Sequence, residues 1–82
     1  MNDREAIFAE LRTILAESFE IDAGAITLES TLYEDLELDS IDAIDLIVNV
    51  QELIGFKVQP EQFKSARTVA DVVEIVYQLT HA

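Results

Sequence analysis

The chain has 82 residues, 17 of them acidic and 5 basic, with a formal charge of -12; half are hydrophobic, 27% are charged and there is no cysteine. That length gives one small domain over residues 1–82 with little room for an enclosed active site, and the apolar content is too high for a disordered acidic tail. The charge disfavours nucleic acid and anionic membrane surfaces, while the missing cysteine removes disulfides, zinc-thiolate sites and a thiol nucleophile, so any thiol chemistry needs a thiol from outside.

The start, Met1-Asn2-Asp3-Arg4-Glu5, is charged, and no uncharged apolar run approaches the roughly 18 residues of a membrane span, so a cytoplasmic protein is expected. From about Asp3 to Phe19, Ile7, Phe8, Leu11, Ile14, Leu15 and Phe19 recur at steps of three and four and predict a first amphipathic helix. The stretch from Glu20 to Leu38 reads as a long loop, pinned to the helices by Ile21, Ile26, Leu28, Leu32, Tyr33 and Leu36.

A second helix is predicted from Asp39-Ser40 through Ile54, with Gly55 as its stop. Asp39 suits the N-cap, Asp42 the third helical position, and Ser40 the first turn. Pro60 opens a short third helix through Phe63 and Lys64, and Thr68 with Asp71 caps a fourth that carries Val69, Val72, Val73, Val76 and Leu79. The β-branched valines make a strand the weaker rival for this last segment. The expected fold is all-α: a small four-helix bundle with a long packed loop between helices 1 and 2 and a short third helix.

The second helix has two apolar sectors. At about 100° per residue from Ile41, the residues Ala43, Leu46, Ile47, Val50, Leu53 and Ile54 centre near 180° and form the core face. Ile41, Ile44 and Val48 fall at about 0°, 300° and 340°, beside Asp45 and Glu52 at about 40° and 20°. Either the long loop covers this second stripe, or it is a transient binding surface whose carboxylates steer a basic partner. The charge map favours binding: no Lys or Arg lies between Arg12 and Lys57, an interval with eleven acids, while Lys57, Lys64 and Arg67 cluster near the third helix.

A serine beside acids at a helix start is by itself most often a capping feature. In combination, Asp39-Ser40-Ile41-Asp42 followed by Asp45-Leu46, the acidic field, the second stripe and the chain length resemble the acyl carrier protein family over nearly the whole chain. The resemblance implies that Ser40 accepts a 4'-phosphopantetheine arm from coenzyme A through a phosphopantetheinyl transferase, and that the arm's thiol carries acyl thioesters. It also implies a partner-recognition face of Asp39, Ile41, Asp42, Ile44, Asp45, Val48 and Glu52 for ketosynthases, acyltransferases and related enzymes with basic docking patches. The bundle interior could shelter the acyl chain.

Three departures are visible. Glu37-Leu38 replaces the Gly-Ala usual before Asp-Ser in fatty-acid carriers, Gln51 stands where an acid is common, and Lys64 and Arg67 are basic. The first should stiffen the approach to Ser40 and add apolar surface beside the arm. Together they point to a dedicated carrier for a fatty-acid-like, polyketide or aryl-polyene pathway, monomeric when free. A peptidyl or aminoacyl carrier shares the serine, and an unmodified acidic adaptor is the rival from another class. Asp39, Asp42 and Asp45 lack the alternating ligands and central glycine of a calcium loop, so no metal site is expected. The lone His81 reads as solvent-exposed and Tyr33 and Tyr77 as packing residues, and no residue pair suggests an enzyme.

Overall fold

The computed structural model describes residues 3–55 and 57–81. Three α-helices, α1 (Arg4–Ser18), α2 (Ser40–Ile54) and α3 (Val69–Thr80), are joined by segments that hold single 3₁₀ turns at Ala23–Ala25 and Pro60–Phe63. The described residues form no strand, only an isolated antiparallel bridge between Thr31 and Thr68. The expected short third helix, from Pro60 through Lys64, is therefore a 3₁₀ turn, and the expected fourth is α3. Pro60 contributes no N–H, four residues are too few to nucleate an α-helix, and Gln59 and Gln62 close the turn side chain to backbone.

Each α-helix begins on a side-chain cap. Asp3 Oδ1 accepts the Ala6 N–H at 2.8 Å, and Thr68 Oγ1 accepts the Asp71 N–H at 3.2 Å while Asp71 accepts the Thr68 N–H at 3.1 Å. These satisfy first-turn amides that have no partner within the helix. Gly55 ends α2 at φ 83°, a left-handed conformation that glycine adopts without strain. The valines of α3 are compatible with helix because Val69, Val72, Val73 and Val76 are all buried, and packing outweighs intrinsic propensity.

The core joins Ile7, Leu11 and Leu15 of α1 to Leu46 and Val50 of α2 and to the α3 valines. Helix α1 packs mainly against α3. The long loop supplies Ile26, Leu32, Leu36 and Leu38 to the same core, so it is packed as expected. Leu28 and Tyr33 are corrections: they are 42% and 53% exposed. The loop is instead anchored there by backbone, since Ser30 and Leu28 carbonyls accept the Val69 and Ala70 N–H groups at 3.0 and 2.9 Å, and Leu32 N–H donates to Arg67 at 2.8 Å. A hydrophobicity pattern cannot register such bonds.

On the far side of α1, the Arg4 guanidinium grips both carboxylate oxygens of Glu74 at 2.6 and 3.0 Å and lies 3.9 Å from the Tyr77 ring centre. His81 is exposed, as expected, yet it is not solvated on all sides: its ring stacks on Tyr77 at 4.1 Å.

Candidate functional site

Ser40 is the first residue of α2 and its side chain is exposed. Asp39 Oδ1 accepts the Asp42 N–H at 2.8 Å, and Asp42 Oδ2 accepts the Asp39 N–H at 3.2 Å. This capping box occupies both carboxylates and leaves the Ser40 hydroxyl with no side-chain partner among the described residues. The contrast with α3 is informative. There the first two amides, Val69 and Ala70, are filled by loop carbonyls, whereas the Ser40 and Ile41 amides of α2 have no loop carbonyl on them among the described residues. Open first-turn amides at the positive end of a helix are suited to a phosphate oxygen.

The backbone before Ser40 is set by Glu37, whose φ of 55° lies in the left-handed region, where a side chain costs about 1–2 kcal/mol. A glycine is the residue this position favours, so Glu37 holds a conformation that costs a side chain strain. Leu38 departs from expectation. It does not add apolar surface beside the site but is 5% exposed, inside the core, with its N–H donated to the Leu32 carbonyl at 3.0 Å. The left-handed turn at Glu37 is what reverses the chain between buried Leu36 and buried Leu38.

Below Ser40 lies a cavity of about 330 Å³ between α2, the 3₁₀ turn and the long loop. Ala43, Leu46 and Ile47 form its α2 wall, Leu32, Ala66 and Val72 are among its apolar lining, and Tyr33, Phe63 and Lys64 complete it toward the loop and turn. Ser40, Ala43 and Ile47 are spaced i, i+3, i+7 and share one helix face, so the serine stands directly above this wall. The volume is about twice that of the ~150 Å³ apolar cavity that binds a benzene ring. Sequence reasoning expected a sheltering interior but did not identify its wall, because Ala43 and Ile47 read as ordinary core positions.

Ile41, Ile44 and Val48 are 69%, 57% and 45% exposed, so the loop does not cover the second stripe of α2. Asp39, Asp45 and Glu52 are exposed around it, and Asp42 is half-buried by its capping role. Gln51 has a structural task the sequence did not reveal: its Oε1 accepts the Val58 N–H at 2.9 Å and ties the following segment to α2.

Residues 9–76 match the family model described as phosphopantetheine attachment site. The chain is 47% identical over 76 residues to acyl carrier protein 2 of Ralstonia nicotianae, covering 93% of this chain and 94% of that protein. The chain belongs to the acyl carrier protein family. It is also 43% identical over 74 residues to an acyl carrier protein of Coprothermobacter proteolyticus, covering 90% of both chains. The fold is that of the solved acyl carrier protein of Enterococcus faecalis, with a TM-score of 0.73, 23% identity, and coverage of 92% of this chain and 95% of that one.

As a family member the chain carries acyl groups on covalently attached 4'-phosphopantetheine. The acyl carrier framework accounts for an otherwise odd combination: a strong negative field, no thiol of its own, and a primary hydroxyl left unpaired at an open helix start. The residues present fit the group. The hydroxyl can form the ester, the Ser40 and Ile41 amides can meet its phosphate, and the apolar cavity one turn below can receive what the arm carries.

Proposed function

We propose that Ser40 is the attachment residue and that the exposed face of α2 presents the loaded arm to synthesis enzymes. The observation that carries the reading is the Ser40 hydroxyl, exposed and unpaired above the cavity while both neighbouring aspartates are held in the cap. In the loading reaction the Ser40 Oγ attacks the pantetheinyl phosphorus of coenzyme A. The new oxygen–phosphorus bond forms as the pyrophosphate bond breaks, the nucleotide leaves as 3',5'-ADP, and the hydroxyl proton passes to a base of the transferase.

The chain's own part is to expose the hydroxyl, hold the helix start rigid through the capping box, and offer amides to the phosphate. It supplies no catalyst. Asp39 and Asp42 are committed to the cap, and His81, the single histidine, stacks on Tyr77 at the end of α3. When attached, the arm supplies a terminal thiol for thioester chemistry. Asp39, Asp45 and Glu52 then act as the steering charges, with Asp42 contributing from the cap, and Ile41, Ile44 and Val48 as the apolar contact for basic-patched transferases, ketosynthases and acyltransferases.

No helix among the described residues is long and apolar enough to cross a membrane, and we read the location as cytoplasmic. Glu37, Gln51 and the basic side of the 3₁₀ turn support a dedicated pathway of fatty-acid, polyketide or aryl-polyene type over a general one.

The test is intact mass before and after incubation with coenzyme A, magnesium and a broad-specificity phosphopantetheinyl transferase, with Ser40→Ala in parallel. A phosphopantetheinyl gain confined to the Ser40 protein is expected. A folded protein that gains nothing, even from its cognate transferase, is instead an unmodified acidic adaptor.

A further inference from the structure

The exposed stripe of α2 is bordered by opposite charges on its two edges. The Gln51 to Val58 hydrogen bond lays the chain from Lys57 onward along the edge defined by Ile47 and Gln51. The 3₁₀ turn continues along that edge, where Lys64 lines the cavity with Ala43 and Ile47, and Glu61 of the turn is the one acid beside it. Moving around the helix from there, Ile44, Val48 and Ile41 come next, and Glu52 and Asp45 follow. Lys57 also shares an open groove with Val48 and Glu52. Across the face, two lysines and one acid, Glu61, border the stripe on one side and Asp45 and Glu52 border it on the other, with Lys57 approaching Glu52 at the C-terminal end of α2.

The placement of the cations is uneven. Of the five basic residues, Arg4 is held by Glu74 and Tyr77, and Arg12 lies over the Phe8 ring. The remaining three, Lys57, Lys64 and Arg67, are exposed and follow one another along the same segment. Arg4 with Glu74 is the single ion pair among the described residues; Arg67 lies beside the Asp71 carboxylate, which accepts its backbone N–H at 2.9 Å, while Lys57 and Lys64 have no carboxylate in contact. In a chain this acidic, solvation of the surface does not require its free positive charge to be gathered on one side of an apolar contact.

We infer that the docking face is two-signed: the partner seated on Ile41, Ile44 and Val48 places basic side chains against Asp45 and Glu52 and a carboxylate-bearing segment against Lys57 and Lys64. The inference rests on the carrier reading above and specifies its partner. The two edges then fix the pose. A partner turned half a revolution about the stripe sets like charges together on both sides, and a partner with a uniformly basic rim meets repulsion on one. The same arrangement that admits a two-signed partner thus excludes enzymes built for wholly acidic carriers, and it sets the direction in which the Ser40 arm points into the enzyme.

The experiment uses holo protein, with the arm verified by mass, charged with an acyl group and presented to a ketosynthase whose docking rim is wholly basic. That enzyme is used unaltered and with its rim lysines changed to Glu one at a time, and acyl transfer is timed at about 20 mM and about 300 mM salt. With the unaltered enzyme at low salt, K57E/K64E is expected to speed transfer about fivefold or more, K57Q/K64Q by an intermediate factor, and D45K/E52K to slow it. At least one rim Lys→Glu change should reverse the order, making the wild-type carrier the better substrate, and high salt should shrink every difference. Transfer by K57E/K64E within about twofold of wild type with every rim variant, or slower with the unaltered enzyme, overturns the inference. Circular dichroism confirms that each variant is folded. If Ser40 takes no arm, the carrier reading and this inference fall together; a loaded arm without a lysine effect overturns this inference alone.

Discussion

Asp39 and Asp42 each accept the other's backbone N–H, and Asp45, one turn further along the same helix, uses its carboxylate in no bond among the described residues. Two of the three acids thus hold the helix start, as their cap positions lead one to expect, and the third has no structural bond to give up when it meets a partner. Asp42, half-buried in the capping box, bears on folding as well as on association. Asp42→Ala should cost about 1 kcal/mol of stability by loss of the hydrogen bond its carboxylate accepts from the Asp39 N–H. Asp45→Lys should change stability by no more than about 0.5 kcal/mol and act on the association rate. Urea unfolding of both variants, alongside stopped-flow association with a transferase, separates the two roles.

Glu37 is strained at φ 55° to turn the chain between Leu36 and Leu38. Replacing it with glycine relieves about 1–2 kcal/mol of strain. The greater freedom of an unfolded glycine returns about 0.5–1 kcal/mol of that gain. Glu37→Gly should therefore stabilise by about 0.5–1 kcal/mol, and Glu37→Val, β-branched and least tolerant of positive φ, should destabilise. The midpoint of chemical unfolding reads both; a destabilised glycine variant would show that the Glu37 side chain has a compensating contact.

The Arg4 guanidinium beside Glu74, with help from Gln78, holds the Glu74 carboxyl down at about 2, against an ordinary value of 4.5. A carboxyl depressed by folding contributes stability that is complete above the unfolded value and is lost as pH falls through the folded one. The clamp between α1 and α3 should thus persist at pH 5 and weaken between about pH 4.5 and 2. Carboxyl-carbon NMR titration checks the value, and Arg4→Gln should return Glu74 toward the ordinary range. Both groups are solvent-exposed, so the effect on global stability should be slight.

Eleven acids lie between Arg12 and Lys57 with no basic residue among them. Their mutual repulsion should loosen the fold at low ionic strength, and added salt should tighten it by screening. In a domain of this size each ~1 kcal/mol recovered lifts the melting temperature by roughly 4–8 °C. A rise of that order between low and high salt is expected in calorimetry, and a melting temperature independent of salt would remove repulsion from the account.

The sequence by itself determined the three α-helices, their caps, the stop at Gly55, and Ser40 at a helix start beside a second apolar stripe, because each of these is written in neighbours within about one or two turns. Tertiary structure decided whatever depends on residues far apart in the chain. It showed that the stripe is exposed, since only the folded path of the loop reveals that Leu32 and Leu36 turn inward elsewhere while Ile41 and Ile44 are left uncovered. It reduced the expected third helix to a 3₁₀ turn and fixed the segment after α2 through the Gln51 bond to Val58. It also buried Leu38, through the left-handed turn at Glu37, and placed Lys64 at the cavity across from the acidic edge. Periodicity reports which side of a helix is apolar; what then covers that side, and which charges border it, is settled only when distant segments are brought together.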